Sequence, residues 1–488
     1  MAESFAFADV IDAHAAANPQ APAITHEHES LTYGALQARV GAAAAWLWHD
    51  AGVRPGDRVA WLGLNDPAQV VLLFALARIG AVLLPLNFRL APPEWDAQIA
   101  QCRPRLVVHD EAWTDAAREL AQRHALAAGS AAKLPAQPAG EAPRHAQPSA
   151  PALLVFTSGT TGVPKAAVHT QANLLANMRI AAGAQEISRA DRILTVLPLF
   201  HVGGLCIQTL PALWGGAEVI LHSRFSADAA LDAIERQRPT LTLQVPATMK
   251  ALIEHPRWPS ADLSSLRAVW AGSSVIPDAL VAAFHARGLP VCNVYGSTET
   301  GPFSIALGPQ HARAKAGSCG WPAPEVEAKL ADVRGGEGEV LVRGPNVVRH
   351  YWPDQPACDA QGWLRTGDLA RQDADGSFTI VGRAKDLIIS GGENIHPAEV
   401  EAALATHDGV LECAAFGLPD PQWGEVVAVA VVARPGASVD EGGLMAHLAG
   451  RIARYKVPRR WIFLAQLPKT ALGKVQRGEL ARRVQQAG

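Results

Sequence analysis

The sequence predicts an α/β protein: a large N-terminal domain of layered α/β subdomains plus a small antiparallel β unit, and a small α+β C-terminal domain. Three observations predict it. The chain has 488 residues, more than one ordinary domain holds. Short β-rich runs alternate with longer helical patterns over most of its length, which marks parallel strands covered by helices. After about residue 330 the pattern changes to short strands and tight glycine turns.

The opening stretch, MAESFAFADVIDAH, lacks a basic n-region and an apolar h-region, so no signal peptide is expected. The longest apolar run, Gln69 to Leu86, is broken by Arg78 and Gly80 and closed by Pro85. A membrane span needs about 20 apolar residues, so this run is expected to be a buried helix, a glycine turn and a strand. Residues 126–150, rich in Ala, Pro and Gln, predict a surface loop. Buried strands are expected at Ala152–Thr157, Arg192–Leu197, Ala217–Leu221, Thr240–Val245, Leu266–Ala271 and Leu289–Tyr295. Helices are expected between them, at Asp228–Gln237 and Pro277–Ala286 among others. Gly335–Gly338 predicts a turn, with Glu339–Arg343 and Ser377–Val381 as strands of the antiparallel unit. From Lys385 the order is strand, Gly-Gly turn, helix, two strands, helix, strand, enough for a domain of about 100 residues. The expected division is 1–381, a link at 382–386, and 387–488.

Lys plus Arg number 43 against 46 Asp plus Glu, and no block concentrates basic charge. Nucleic acid and an acidic membrane surface are therefore excluded as main partners. The six cysteines (102, 206, 292, 319, 358, 413) lie far apart with no CxxC, which excludes a disulfide scaffold and a zinc ribbon. They point to a reducing compartment, the cytoplasm.

Directly after the strand LLVF comes Thr157-Ser158-Gly159-Thr160-Thr161-Gly162-Val163-Pro164-Lys165. Glycines let a backbone approach a phosphate, hydroxyls and N–H groups donate to its oxygens, and a lysine adds a point charge. The spacing G-x-x-G-x-x-K differs from a Walker A loop. Tyr295-Gly296-Ser297-Thr298-Glu299-Thr300-Gly301 ends another buried strand, with an aromatic face for a base and a carboxylate for a hard cation. Thr366-Gly367-Asp368 and Gly382-Arg383-Ala384-Lys385-Asp386 follow; an Asp on a tight turn suits a ribose diol, although taken alone it is more often a turn former.

Together with Leu31-Thr32-Tyr33, GAVLLPLN at 80–87, LPLFH at 197–201, AGSS at 271–274 and PKTALGK at 468–474, these motifs resemble the adenylate-forming (AMP-binding) superfamily over nearly the whole chain. The resemblance implies a mobile C-terminal domain and an activity on ATP with Mg²⁺. Residues Thr157, Ser158, Gly159, Thr160, Thr161, Gly162 and Lys165 match the loop that grips the ATP phosphates. Gly272, Ser273, Ser274, Asn293 and Tyr295 match the adenine pocket, Gly296 and Ser297 belong with them to the ATP/AMP site, and Thr298 matches a phosphate ligand. Glu299 matches the Mg²⁺ ligand, Asp368 the ribose ligand, and Arg383 a second ribose or phosphate contact. His201 matches the residue beside the reacting carboxylate, and Lys474 the lysine that offsets anion repulsion when the acid attacks the α-phosphorus. Lys385 takes the hinge position.

Within the superfamily, Ser390 to Glu401 is similar to the motif of aryl- and fatty-acyl-CoA ligases such as 4-chlorobenzoate–CoA ligase. That similarity implies CoA as co-substrate, with Gly391 and Gly392 lining a pantetheine tunnel and Trp423 beside it. Arg89, Tyr455 and Lys456 match positions near the CoA nucleotide; Val457 departs from the arginine of the chlorobenzoate enzyme, which points instead to Lys456, Arg459 or Arg460 for the phosphates. Ala166 replaces a glycine frequent in relatives, as it does in aryl ligases. An acyl pocket is expected from His201, Val202, Gly203, Gly204, Ala271, Gly296, Gly301 and Pro302, the glycines leaving room for a neutral-tailed acid, aromatic or medium-chain fatty. The rival readings are a free-standing adenylation enzyme that loads a carrier-protein thiol and a non-catalytic nucleotide sensor; intact Lys165, Glu299 and Lys474 speak against the second.

Overall fold

The structure, a computed structural model, describes residues 5–137, 140–157, 164–272, 276–390, 393–421, 423–449, 451–470 and 473–487. The chain divides into two compact units, the first holding residues 1–329, 341–365 and 376–378 and the second 330–340, 366–375 and 379–488.

The first unit is built on two large sheets. In one, the strands Val291–Tyr295, Ala268–Gly272, Leu241–Gln244, Arg192–Thr195, Glu218–Leu221 and Pro22–His26 lie side by side in that order, all parallel. Antiparallel strands extend both edges: Glu29–Thr32 on one side, Ile305–Ala306 and Trp321–Pro322 on the other. Parallel strands are covered on both faces, and Leu241–Gln244, Glu218–Leu221 and Ala268–Gly272 are buried at every residue. Each lies inside or within a residue of its predicted span.

In the second sheet the parallel strands Pro151–Thr157, Val82–Pro85, Arg58–Leu62, Leu106–His109 and Ala127–Ser130 follow in order. Antiparallel to the first of them runs Lys165–Thr170, which in turn pairs with His350–Tyr351. The long apolar run resolves as predicted. Asp66 caps the helix Pro67–Arg78 by accepting from Ala68 N–H, Pro67 takes the first turn, and Gly80 turns at φ +75° into Val82–Pro85. The predicted loop at 126–150 contains one strand, Ala127–Ser130, at a sheet edge. Its sequence, Ala-Ala-Gly-Ser, has no apolar alternation by which to read it.

His169, on Lys165–Thr170, is fully buried and neither ring nitrogen has a hydrogen-bond partner. Burial pushes its imidazole down to about 4, against 6.5 when exposed. Between those values the unfolded chain takes up a proton that the folded chain refuses, so folding stability is full above pH 6.5 and falls as the pH drops. The slope approaches about 1.4 kcal/mol per pH unit. Urea unfolding of wild type at pH 7, 6 and 5 should show it, and His169→Leu should flatten that part of the profile.

A four-stranded sheet, Glu327–Arg334, Glu337–Arg343, Leu364–Gln372 and Phe378–Arg383 in that order, contains the two strands predicted for the antiparallel unit. The second unit holds a long antiparallel pair, Val410–Asp420 with Gly424–Ala433. Ile388–Ser390 and the parallel Arg460–Phe463 join the latter strand. Alternate residues of Gly424–Ala433 face two cores: Val427, Val429 and Val431 one, Val426, Ala428, Ala430 and Val432 the other. The strand Glu393–Ile395 and the last helix, Arg477–Ala487, were not predicted. The helix is mostly polar, but Leu480, Ala481 and Val484 seat it on the second core.

Candidate active site

In the first unit the parallel strands Ala268–Gly272 and Val291–Tyr295 run side by side with Ala271 opposite Asn293 and Gly272 opposite Val294. Both end at the same edge of the sheet, where open α/β folds bind ligands. A Cβ on Gly272 would lie 2.5 Å from the Val294 carbonyl oxygen, so only glycine permits this approach. The Asn293 amide donates to Ser318 O (3.2 Å) and the Cys319 sulfur (3.3 Å). Tyr295 is half-buried at the strand end, and its carbonyl accepts from Ser304 N–H.

The chain then tightens into the turn Thr298–Thr300, where Ser297 N–H donates to Thr300 Oγ1 at 2.9 Å. The Ser297 hydroxyl is buried without a hydrogen-bond partner, a polar group available to a ligand. Thr298 is buried and Glu299 half-buried. One oxygen of Glu299 accepts from the Tyr351 hydroxyl at 3.0 Å. Burial first, and the Glu299 charge next, hold that phenol above its ordinary range, so it remains the donor.

Thr157 and Lys165 face each other across the antiparallel ladder of Pro151–Thr157 with Lys165–Thr170. The predicted residues Ser158, Gly159, Thr160, Thr161 and Gly162 connect these strands and lie outside the described residues, as do Ser273 and Ser274. The Lys165 ammonium sits 5.3 Å from the centre of the Tyr351 ring. Tyr351 thus brings two predicted motifs together. Sequence reasoning missed it.

His201 follows a segment fixed from behind. The buried Asn65 amide donates to Leu197 O (3.0 Å) and accepts from Leu199 N–H (2.8 Å), and buried Gln69 donates to Leu199 O (3.0 Å). His201 Nδ1 accepts from Gly203 N–H at 3.0 Å, which leaves Nε2 to carry the proton of the neutral ring. From Val202 the chain is helical, with a π turn at Leu205–Thr209. Pro211 has no N–H to give the preceding turn. The carbonyls of Cys206 and Ile207 accept instead from Asn177 (2.7 Å) and Gln185 (2.7 Å), and Gly204 O from Thr209 Oγ1 (2.7 Å). Asn177 also accepts from Phe303 N–H at 3.3 Å, linking the turn Leu205–Thr209 to the loop of Gly301 and Pro302.

The glycines here correct one expectation. A Cβ on Gly204 would lie 2.3 Å from Pro198 O, and one on Gly296 only 1.6 Å from Pro302 O. Gly301, at φ +97°, has Asn177 and Asn346 within 3.1 Å of the same point. Neighbouring chain fills these places, so Gly204, Gly296 and Gly301 provide close packing rather than the room expected for an acid. Val202, Gly203 and Ala271 are buried. Arg89 is exposed, with its guanidinium over the rings of Phe88 (5.5 Å) and Phe200 (5.9 Å), next to His201.

In the second unit Asp368 and Arg383 meet, with Arg383 Nε 2.7 Å from a carboxylate oxygen of Asp368. The turn before Asp368 is set by Thr366 Oγ1, which accepts from Asp368 N–H (3.1 Å), and by Gly367 at φ +72°. Lys385 is exposed on the turn Ala384–Asp386. Gly391 and Gly392 lie outside the described residues. Trp423 packs on the second core with a buried, unpartnered Nε1, and the Arg459 guanidinium lies 4.5 Å from its ring centre. Tyr455 is exposed; Lys456 is engaged with Glu399 at 2.7 Å. Lys474 is exposed at the end of a turn in which Thr470 N–H donates to Lys474 O at 2.7 Å.

Among the described residues no three His, Cys, Asp or Glu side chains group as a metal site. A single carboxylate on a hydroxyl-rich turn fits Mg²⁺ that arrives on phosphate oxygens, since Mg²⁺ takes one or two carboxylates plus phosphates.

Strand ends that bring together hydroxyls, an aromatic face, a lysine and a carboxylate suit a nucleotide carrying Mg²⁺. The chain belongs to the AMP-binding enzyme family: the model of that family matches residues 11–352, and that of the AMP-binding enzyme C-terminal domain matches 399–474. It is 44% identical to indoleacetate–CoA ligase of Aromatoleum aromaticum, with 97% of each chain covered. It is 42% identical to feruloyl-CoA synthase of an Amycolatopsis species, with 96% of each covered. Its fold matches o-succinylbenzoate CoA synthetase of Bacillus subtilis bound to its acyl-adenylate intermediate, at TM-score 0.89 and 32% identity over 97% of both chains. The same synthetase with ATP and magnesium ion matches at TM-score 0.88, 31% identity, and 97% and 99% coverage. The fold is that of the adenylate-forming enzymes, as the resemblance implied. Among the described residues no helix is long and apolar enough to cross a membrane.

Proposed function

We propose that the protein is an ATP-dependent ligase that joins an aromatic carboxylic acid to CoA through an acyl-adenylate. The observation that carries the chemistry is the convergence of Lys165 and Glu299 on Tyr351 at the strand ends. The likeness to indoleacetate and feruloyl ligases along nearly the whole chain supports an aromatic acid and CoA as the acceptor.

In the first half-reaction a carboxylate oxygen of the acid bonds to the α-phosphorus of ATP, and the bond to pyrophosphate breaks. Thr157 and Lys165, with the connecting residues 158–162, hold the phosphates, and Thr298 adds a hydroxyl. Glu299 holds Mg²⁺, which when bound neutralises developing phosphate charge. Gly272, Ser273, Ser274 and Asn293 frame the adenine, with Tyr295 against its face. Asp368, oriented by Arg383, takes the ribose hydroxyls. His201 is the orienting group beside the carboxylate of the acid. Lys474 supplies a cation between the two anions. In the second half-reaction the CoA thiolate bonds to the acyl carbon and AMP leaves, with Gly391, Gly392, Trp423, Arg89, Tyr455 and Lys456 on the CoA side. Residues 382–386 form the link between N- and C-terminal domains, and Lys385 its hinge. We assign the enzyme to the cytoplasm, a reading supported by six unpaired cysteines, which suit a reducing compartment.

The test is a panel of indoleacetate, ferulate, benzoate, octanoate and decanoate, each assayed for CoA-dependent AMP release. An aromatic acid should exceed both fatty acids in kcat/KM by at least about tenfold, the discrimination a shaped apolar pocket achieves. Equal or better use of octanoate would replace the aromatic assignment with a medium-chain one.

A further inference from the structure

Tyr351 belongs to none of the motifs from which the site was read, yet it touches two of them. Its hydroxyl donates to Glu299 Oε1 at 3.0 Å, and its ring carries the Lys165 ammonium at 5.3 Å. The backbone around it is fixed at both ends. Val348 N–H donates to Glu299 O at 2.9 Å, and Trp352 N–H donates to Ala166 O at 2.8 Å. Between them Tyr351 pairs with Ala167, so the segment ties the strand that begins at Lys165 to the turn that carries Glu299.

We propose that Tyr351 is a positioning residue for the metal-holding carboxylate: its hydroxyl fixes Oε1 of Glu299 so that Oε2 is presented to the Mg²⁺ of ATP. The inference rests on the reading of Glu299 as the Mg²⁺ ligand. A phenol suits this task because it is neutral. It restricts rotation of the carboxylate without cancelling the charge a hard cation needs, whereas Lys or Arg at the same place would compete with the cation for the oxygens. The ring does a second thing. It gives Lys165 an aromatic face, and among the described residues no ion pair joins Lys165 to Glu299. The two charges can then serve opposite partners, phosphate and metal.

The experiment measures ATP binding to the full chain by calorimetry, once with Mg²⁺ and once with EDTA, for wild type, Tyr351→Phe, Glu299→Gln and the double variant. The phenylalanine keeps the ring under Lys165 and removes only the hydroxyl. The gain in ATP affinity conferred by Mg²⁺ should fall about tenfold in Tyr351→Phe, the lower end of what loss of an outer-shell partner costs. Affinity in EDTA and the melting temperature should stay at the wild-type values. In the Glu299→Gln background the tyrosine change should add nothing further. An equal loss with and without Mg²⁺, or an additive loss in the double variant, would overturn the proposal and make Tyr351 part of the ATP pocket itself. A Glu299→Gln variant that keeps the full Mg²⁺ gain would remove the reading of Glu299, and the proposal with it.

Discussion

Lys474→Ala should abolish acyl-adenylate formation while leaving thioester formation from supplied acyl-adenylate nearly intact. Two anions meet in the first half-reaction, and a preorganised cation there is worth about 10²–10³-fold in rate. Once pyrophosphate has left, that repulsion is gone. The side chain is exposed, and its turn is held by backbone bonds and by the Thr470 hydroxyl, which accepts from Lys474 N–H at 3.2 Å. Alanine keeps all of these. Pyrophosphate exchange and the adenylate-to-thioester step, assayed separately, decide the matter. A parallel fall in both would mean that Lys474 does not act in the adenylation step alone.

Gly296→Ala is the second large effect. The added methyl would lie 1.6 Å from Pro302 O and 2.5 Å from its carbon, main-chain atoms that cannot rotate aside. The strand end and the loop carrying Pro302 must separate. Overpacking of this kind costs about 1–3 kcal/mol in stability. A displacement of about 1 Å at a reacting centre costs about 100-fold in rate. Adenylation should fall by at least that factor and the melting temperature should drop. Gly183→Ala is the control: it sits in the helix Gln171–Ala184 with nothing within 4 Å of the new methyl, and should leave adenylation unchanged and the melting temperature unchanged or slightly raised. A Gly296→Ala variant that behaves like the control would refute the close packing described at this site.

These two residues show how much of the protein was legible beforehand. Buried parallel strands announce themselves as apolar runs, so the sheet that carries Gly272 and Tyr295 was located within a residue or two. Gly296 was legible as a required glycine but for the wrong reason, because sequence does not say whether a missing Cβ leaves space or admits another backbone. Lys165 was placed at the end of a phosphate loop; that it also opens an antiparallel strand depends on pairing with Pro151–Thr157 and was not visible. Tyr351, Asn65, Gln69 and Asn177 were missed together. Each acts on a segment remote in sequence, Asn65 on Leu197 and Leu199 and Asn177 on Cys206 and Phe303. The one available signal was an amide inside an apolar run, as Gln69 is at the head of Gln69–Leu86, because a buried amide must find partners.

The identity of the thiol acceptor is the point on which the functional assignment turns. Wild-type protein is mixed with ATP, Mg²⁺ and the best acid of the panel, without CoA. The acid-quenched mixture is examined by mass spectrometry for acyl-adenylate. The enzyme-bound adenylate is then chased with free CoA in one sample and with a phosphopantetheinylated carrier protein in another. CoA should consume the adenylate within one turnover and yield acyl-CoA and AMP in equal amounts, while the carrier remains unloaded. Adenylate that persists in free CoA and transfers to the carrier would contradict the CoA ligase assignment and establish carrier loading in its place.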